Sequence, residues 1–342
     1  MNTMRRWEMN GFGRQSLTLQ TAAVPRPADD EVLVQVMSVA LNHRDNWVIG
    51  SGRGLPLRFP FTPGSDLSGR VVAAGSQVSR FAPGDEVISV FAPEWLDGAR
   101  PGNARELAYR TLGGFYPGVL AEYVTMKADW LVAKPASLSH AAASTLPCAA
   151  LTAWFALVER GNLQPGDSVL IEGSGGVALF GLQIANMLGA KTLVATSAGK
   201  MAGVKQLGAD AVIDRNAQGM VDAVLQLTAD RGVDHILELA GGAHLGQAAA
   251  MCAIGGKIHL IGALEGFTVS SPLEPILFKD LAIYGIGTGH RRALSEMCAA
   301  FDANGLTPVI DSVYPLEALP LALARVESGA FGKVVVNIGE VA

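Results

Sequence analysis

The sequence predicts an α/β protein in which a small β-barrel or sandwich is joined to a doubly wound parallel sheet. Three observations predict it. Residues 168–190 (SVLIEGSGGVALFGLQIANMLGA) run from a short apolar strand, Val169-Leu170-Ile171, through a glycine turn into a helix. In that helix small or apolar residues recur at Val177, Gly181, Ile184 and Leu188, and Gly189 sits where a C-cap glycine belongs. Beyond it, strand-like and helix-like segments alternate five more times, the pattern of a parallel sheet covered by helices. Ahead of it, short β-branched runs lie between Gly/Pro turns, the pattern of a small barrel or sandwich.

Taken in order, Pro25 and Pro27 mark a loop before residues 31–41 (EVLVQVMSVAL), a long strand. Residues 70–74 (RVVAA) form a second strand, ended by Gly75-Ser76. Phe81-Ala82-Pro83-Gly84-Asp85 is a turn in which glycine supplies the positive φ, and a strand follows over 86–91. Residues 91–119, rich in Gly, Pro and charge, read as a long surface excursion that helps shape a pocket. Residues 121–126 (AEYVTM) are another strand. The texture changes at Ser139, an N-cap for a helix through HAAASTLPCAALTAWFALVER. Pro165-Gly166-Asp167 then turns the chain into the strand before the glycine turn. Later strands are expected at 192–196, 211–213, 233–239, 257–261 and 281–286. The tail holds a helix (293–303), a strand near 309–313, a helix (316–328) and a last strand (333–338). With six strands already in the parallel sheet, the tail is expected to return to the first domain. The domains are therefore 1–138 with 289–342, and 139–288. The strand at 281–286 is apolar and expected at a sheet edge, so a homodimer burying it is expected.

Composition narrows the function. Charged residues are 17% and hydrophobic residues 49%, which marks a globular chain. The net charge of −5 and the lack of a Lys/Arg run argue against nucleic acid. Cys148, Cys252 and Cys298 are too scattered for a disulfide framework, so a reducing, cytoplasmic setting is expected. The first sixteen residues have no apolar core, and no secretory leader is expected there. The uncharged run 173–190 is broken by glycines, Gln183 and Asn186, and no membrane span is expected. The partner expected is a small-molecule substrate.

The turn Gly173-Ser174-Gly175-Gly176-Val177-Ala178 aims free backbone N–H groups at one point, where the helix dipole also favours an anion; this is a diphosphate site. In dinucleotide-binding units an Asp or Glu about 20 residues on holds the adenosine ribose and selects NAD. Here no acid occurs between Glu172 and Asp210. A 2′-phosphate meets no repulsion there and finds hydroxyls at Thr196 and Ser197 and cations at Lys200 and Arg215; as ordinary surface charges the two cations have no such role. NADPH is expected over NADH. Gly241, Gly242, Gly262 and Ala263 follow the ends of the fourth and fifth strands, where a cofactor lies in such sheets.

Further motifs are Ala40-Leu41-Asn42-His43-Arg44-Asp45, Pro63-Gly64-Ser65-Asp66-Leu67-Ser68-Gly69, the turn at 81–87, Leu146-Pro147-Cys148-Ala149-Ala150-Leu151-Thr152-Ala153-Trp154, Leu207-Gly208-Ala209-Asp210 and Gly332-Lys333-Val334-Val335. With these the chain resembles the medium-chain dehydrogenase/reductase superfamily, and within it the zinc-free, quinone-oxidoreductase-like branch. The resemblance spans nearly the whole chain. It implies a GroES-like barrel fused to a Rossmann domain, with the active site in the cleft between them. Zinc members carry a Cys at the position of Asn42, a His-Glu pair at Ser65-Asp66 and often a Cys at Cys148. Only Cys148 remains here, short of the three protein ligands that catalytic zinc takes, so no metal is expected.

Without a Lewis acid, the acceptor of the hydride is expected to be a quinone or an α,β-unsaturated carbonyl, with Asn42 donating a hydrogen bond to its oxygen. The resemblance places Asn42 near the nicotinamide, Thr152 near its ribose and Lys333 at the cofactor. Asp45 is expected to orient the loop, pair with an Arg or take part in proton transfer. Relatives often carry a Tyr shortly after this loop; here the aromatic is Trp47, which leaves solvent as the proton source. Trp47 and Trp95 either line an apolar pocket or pack; Cys148 is either a small buried hydrophobe or a reactive thiol. His290-Arg291 either approach the cofactor or form a solvated loop. His140, His235, His244 and His259 show no pairing. Two other readings stand beside the reductase: an alcohol/aldehyde dehydrogenase of the same superfamily, and an NADPH-binding sensor or interaction protein with little turnover.

Overall fold

The structure, a computed structural model, describes residues 3–106, 109–217 and 219–339, so Leu107 and Ala108 of the 91–119 excursion lie outside the described residues. It consists of two compact units, Met1–Leu151 with Gly289–Ala342, and Thr152–Thr288. The division falls inside the helical stretch that begins at His140. The start of that stretch is tied to the first unit: His140 bonds Ser68 Oγ (2.8 Å) and Glu86 Oε1 (3.2 Å), and the Cys148 N–H donates to Asp66 (3.1 Å).

In the first unit β1 (Thr3–Met9) and β2 (Leu17–Ala23) form an antiparallel hairpin. Then come β3 (Glu31–Leu41), β4 (Asp66–Ala74), β5 (Glu86–Ser89), β6 (Tyr123–Lys127) and β7 (Leu131–Ala133). Alternate residues of β3, Val32, Val34 and Val36, are wholly buried, as expected for a strand with one face on a core. They pack with Leu67, Val71, Val87, Leu131, Val334 and Val336. The sequence reading missed β1, β2 and β7, and missed the helix His43–Ser51, whose start it took for a loop.

The second unit holds β8 (Ser168–Glu172), β9 (Lys191–Thr196), β10 (Ala211–Asp214), β11 (Val233–Glu238), β12 (Cys252–Leu260) and β13 (Ala282–Gly285) in one parallel sheet. The order is β10-β9-β8-β11-β12-β13, with β13 at one edge. The helix Gly176–Met187 follows β8 and lies close on the sheet at Gly181, where an added Cβ would sit 2.3 Å from Leu237 Cδ1. At 12 residues it is too short to cross a bilayer. One helical stretch, His140–Arg160, is long and apolar enough, but 83% of its apolar window is buried in the fold, as in a core helix.

The tail adds β14 (Ile310–Pro315) and β15 (Lys333–Asn337) to the first unit. Its sheet runs β14-β15-β3-β4-β5-β7, and β6 also pairs with β3. The return of the tail places Lys333 next to the end of β3, with Val334 opposite Leu41.

Candidate functional site

A buried polar cluster lies where β3, β4 and β15 meet. Asn42 ends β3 and caps the helix His43–Ser51. Its backbone N–H donates to Asp45 Oδ2 (2.7 Å), so Asp45 serves the helix start. Lys333, 3% exposed, reaches in from β15 and donates from Nζ to Leu41 O (2.7 Å) and Asn42 Oδ1 (2.6 Å). The Asn42 amide in turn donates to Ser65 Oγ (3.4 Å). Asp66, fully buried, accepts from Ser65 Oγ (2.5 Å) and from the Cys148 N–H (3.1 Å).

Burial governs the titration of this cluster. It pushes Asp45 up to about 6, against the pull of Arg44, the Asn42 N–H and Lys333. It pushes Asp66 up as well, opposed first by Lys333. Burial also raises the Cys148 thiol, and Asp66 adds to the effect. That leaves Cys148 a protonated, partly buried thiol and not an activated nucleophile.

A tetrahedral zinc does not fit these residues. The Asn42 oxygen is taken by an ammonium and both Asp66 oxygens hold donors, which leaves fewer than three ligands. A divalent cation would also sit against the Lys333 charge.

In the second unit the glycine turn is open. Gly173 has φ +96°, and added Cβ atoms at Gly173 and Gly175 would meet nothing within 4 Å. Gly175 caps the helix Gly176–Met187, so the N–H groups of Gly176 and Val177 begin a helix with no side chain over them. This fits the diphosphate of a dinucleotide. At the end of β9, Thr196 is buried and its hydroxyl donates to Ser174 Oγ (3.0 Å), so it braces the turn and does not face outward. Ser197 caps the short turn Ala198–Lys200, and Lys200 ends it. Arg215 is exposed and its backbone N–H bonds Thr196 O (2.9 Å), which brings it to the same strand end. Thr152 is buried.

Gly241 and Gly262 are explained by packing. The Gly241 N–H donates to Glu238, and a Cβ on Gly262 would lie 1.8 Å from Leu239 O. Ala263 adjoins Gly262 and is half-buried, and a Cβ on Gly242 would touch Glu265.

Lys333, expected at the cofactor, donates to Asn42 within the first unit. Trp95 is buried edge-on to His290 (5.4 Å), with Nε1–H on Gly98 O (2.9 Å). His290 accepts the Ala293 N–H as the cap of the helix Arg291–Asn304. Trp47 packs edge-on to His43 (5.0 Å) beneath Arg53. The excursion does line a surface cavity of about 390 Å³, with Leu55, Glu94, Glu106, Tyr109, Arg110 and Phe115 around it.

The histidines do pair. His235 and His259 stack (5.6 Å), and burial lowers both. His244 lies 3.3 Å from Glu172 and 3.5 Å from Glu238, at the ends of β8 and β11. These three form a group with metal-ligand spacing that the sequence reading did not find. Burial holds Glu172 up to about 8, while hydrogen bonding to Glu238 raises His244. His244 thus stands between the two acids beside the diphosphate turn.

A barrel unit with a buried donor cluster and a doubly wound unit with an open glycine turn define a nicotinamide-nucleotide-dependent oxidoreductase class. Residues 28–136 match the alcohol dehydrogenase GroES-like domain family, and residues 176–303 the zinc-binding dehydrogenase family. A zinc-type alcohol dehydrogenase-like protein of Schizosaccharomyces pombe is 35% identical over 341 residues, covering 97% of each chain. The quinone oxidoreductase of Homo sapiens is 29% identical over 326 residues, covering 92% of this chain and 91% of its own. A crystal structure from Sinorhizobium meliloti 1021, named for an alcohol dehydrogenase, is 51% identical with a TM-score of 0.96, covering 98% of this chain and 99% of that one. The chain belongs to the medium-chain dehydrogenase/reductase superfamily, with GroES-like and Rossmann domains.

Proposed function

We propose that this oxidoreductase is NADPH-dependent and zinc-independent, and that it reduces quinones or α,β-unsaturated carbonyls. The observation that carries the reading is the Lys333 ammonium on the Asn42 amide, in a donor set unfit for zinc. The bound dihydronicotinamide supplies a hydride. As the acceptor is reduced, negative charge gathers on its oxygen. A quinone or enone spreads that charge by conjugation, and a fixed amide N–H at the oxygen stabilises it further. Asn42 Nδ2–H is that donor, and solvent supplies the proton that completes the two-electron reduction. NADPH is supported by the absence of an acid between Glu172 and Asp210 and by the exposed Arg215 beside Thr196.

The names of the S. pombe and S. meliloti proteins favour a second reading, alcohol or aldehyde oxidoreduction. An NADPH-oxidation assay across quinones, enones and aldehydes, run beside metal analysis, separates the two. Turnover of quinones or enones by metal-free protein is the expected result. Turnover confined to aldehydes, or one tightly held zinc per chain, refutes the reading; tight NADPH binding with no turnover points to a sensor.

The protein is further proposed to act in the cytoplasm as a homodimer on a small molecule, without nucleic acid or membrane. The three cysteines form no disulfide, in keeping with a reducing compartment. The edge strand β13 exposes Ile283, and the helix Leu273–Phe278 leading into it exposes Leu273, Leu277 and Phe278, the last at 78%. Such an apolar edge suits burial against a second copy.

A further inference from the structure

An asparagine presents either its oxygen or its NH2 to a substrate, depending on a half-turn of the amide. Only one of these orientations stabilises a forming oxyanion. At Asn42 the choice is made by Lys333. An ammonium has donors and no acceptor, so the Asn42 atom 2.6 Å from Nζ is the carbonyl oxygen. The NH2 group is thereby turned the other way, to the side of Ser65 Oγ at 3.4 Å and of the Asp66 carboxylate, which it also hydrogen-bonds.

Lys333 is itself held. A second hydrogen bond fixes Nζ to Leu41 O (2.7 Å), and β15 is locked to β3 in antiparallel register at Val334–Leu41 and Val335–Ala40. The side chain is buried, which strengthens the contact.

We propose that Lys333 is a positioning residue: its ammonium locks the Asn42 amide with the NH2 towards the acceptor oxygen and polarises that N–H. This rests on the reading above, in which Asn42 donates to the acceptor. A charge-assisted bond to the amide oxygen draws electron density from nitrogen and strengthens the opposite donor. Loss of the ammonium frees the amide to turn its oxygen towards the substrate.

Two measurements test this. In asparagine-15N-labelled protein the Asn42 side-chain amide signal, assigned by its disappearance in Asn42→Asp, moves in Lys333→Met. In the steady-state kinetics of quinone or enone reduction by NADPH, Asn42→Ala lowers kcat about 100-fold, the scale of one oxyanion donor. Lys333→Met lowers kcat roughly 10- to 100-fold, with KM changed less than about threefold, and the double variant is no slower than Asn42→Ala, since both act through one group. Lys333→Gln keeps a neutral donor and carries the same cycle should the Met variant fail to fold, with kcat between wild type and Asn42→Ala. An unmoved amide signal, or losses that multiply in the double variant, overturns the positioning role. An unchanged kcat in Asn42→Ala overturns instead the donor reading on which it rests.

Discussion

Replacing Asp45 by asparagine tests how burial shapes the cluster. The carboxyl is 1% exposed and its pKa is raised from 3.8 to about 6. A raised acid binds its proton more tightly in the folded chain than in the unfolded one. Its contribution to stability is therefore complete below pH 3.8 and lost as pH climbs through about 6. At pH 5, one unit below the folded value, the contribution is about 1.4 kcal/mol, and at pH 8 it is close to zero. The substituted side chain does not titrate, but its amide oxygen still accepts the Asn42 N–H, so the helix cap costs at most about 1 kcal/mol. The difference between wild type and Asp45→Asn should therefore be larger at pH 5 than at pH 8 by about 1.4 kcal/mol. Urea unfolding followed by tryptophan fluorescence suits the measurement, because Trp7, Trp47, Trp95 and Trp130 all lie in the first unit. A difference that does not change with pH, or one that grows towards pH 8, refutes the claim that burial outweighs Arg44 and Lys333 at this carboxyl.

Lys200→Ala and Arg215→Ala should each weaken NADPH about 10-fold, the scale of one charge-assisted contact, and leave NADH unchanged; titration of both cofactors checks this, and equal losses for the two refute the 2′-phosphate assignment. His244→Ala should destabilise the second unit by on the order of 1–3 kcal/mol. Hydrogen bonding to Glu238 raises the His244 pKa, so this loss is full below the ordinary histidine range and fades as pH rises through the folded value; denaturation of both forms between pH 6 and 9 measures it. If the proposed homodimer buries this edge, Ile283→Glu and Phe278→Glu should each give monomers in light scattering, with little change in the circular dichroism of the fold; a wild-type monomer refutes the dimer, and an unaltered dimer mass in both variants places its interface elsewhere.

Much of this was legible where one local rule decides the outcome. The strand at 31–41, with valines at 32, 34, 36 and 39, falls at Glu31–Leu41, and the glycine turn sits between β8 and a helix as its spacing implies. Other features needed a neighbour. In β1 Trp7 and Met9 are buried on one face and Met4 on the other, with Arg5, Arg6 and Glu8 between them, so no clean alternation is visible. The helix His43–Ser51 begins with an Asn-x-x-Asp cap, a weaker signature than the usual Ser/Thr-x-x-Glu, and holds few apolar residues to set a period. Glu172, Glu238 and His244 are far apart in sequence. Yet Glu172 and Glu238 are the last residues of β8 and β11, which the doubly wound order makes neighbours. Topology joined to the strand ends could have found that pair.

Lys333 was the hardest residue to read, because nothing in GKVVV distinguishes an outward lysine from one turned into the core. The difference lies in the partners it meets. Two buried carboxylates, Asp45 and Asp66, stand within its field, and burial alone drives both towards protonation. A cation must balance them if they are to remain charged, and a buried pair without it is strongly unfavourable. At the positions where zinc members of the superfamily carry a Cys and a His, this chain has Asn42 and Ser65, and an ammonium stands on the Asn42 amide. The exchange has a chemical consequence. Zinc binds a substrate oxygen directly and polarises even an unconjugated ketone, whereas a lysine spent on a neighbouring amide acts only through that amide's N–H. This is the ground for the proposal that the acceptor is one already conjugated enough to carry its own charge.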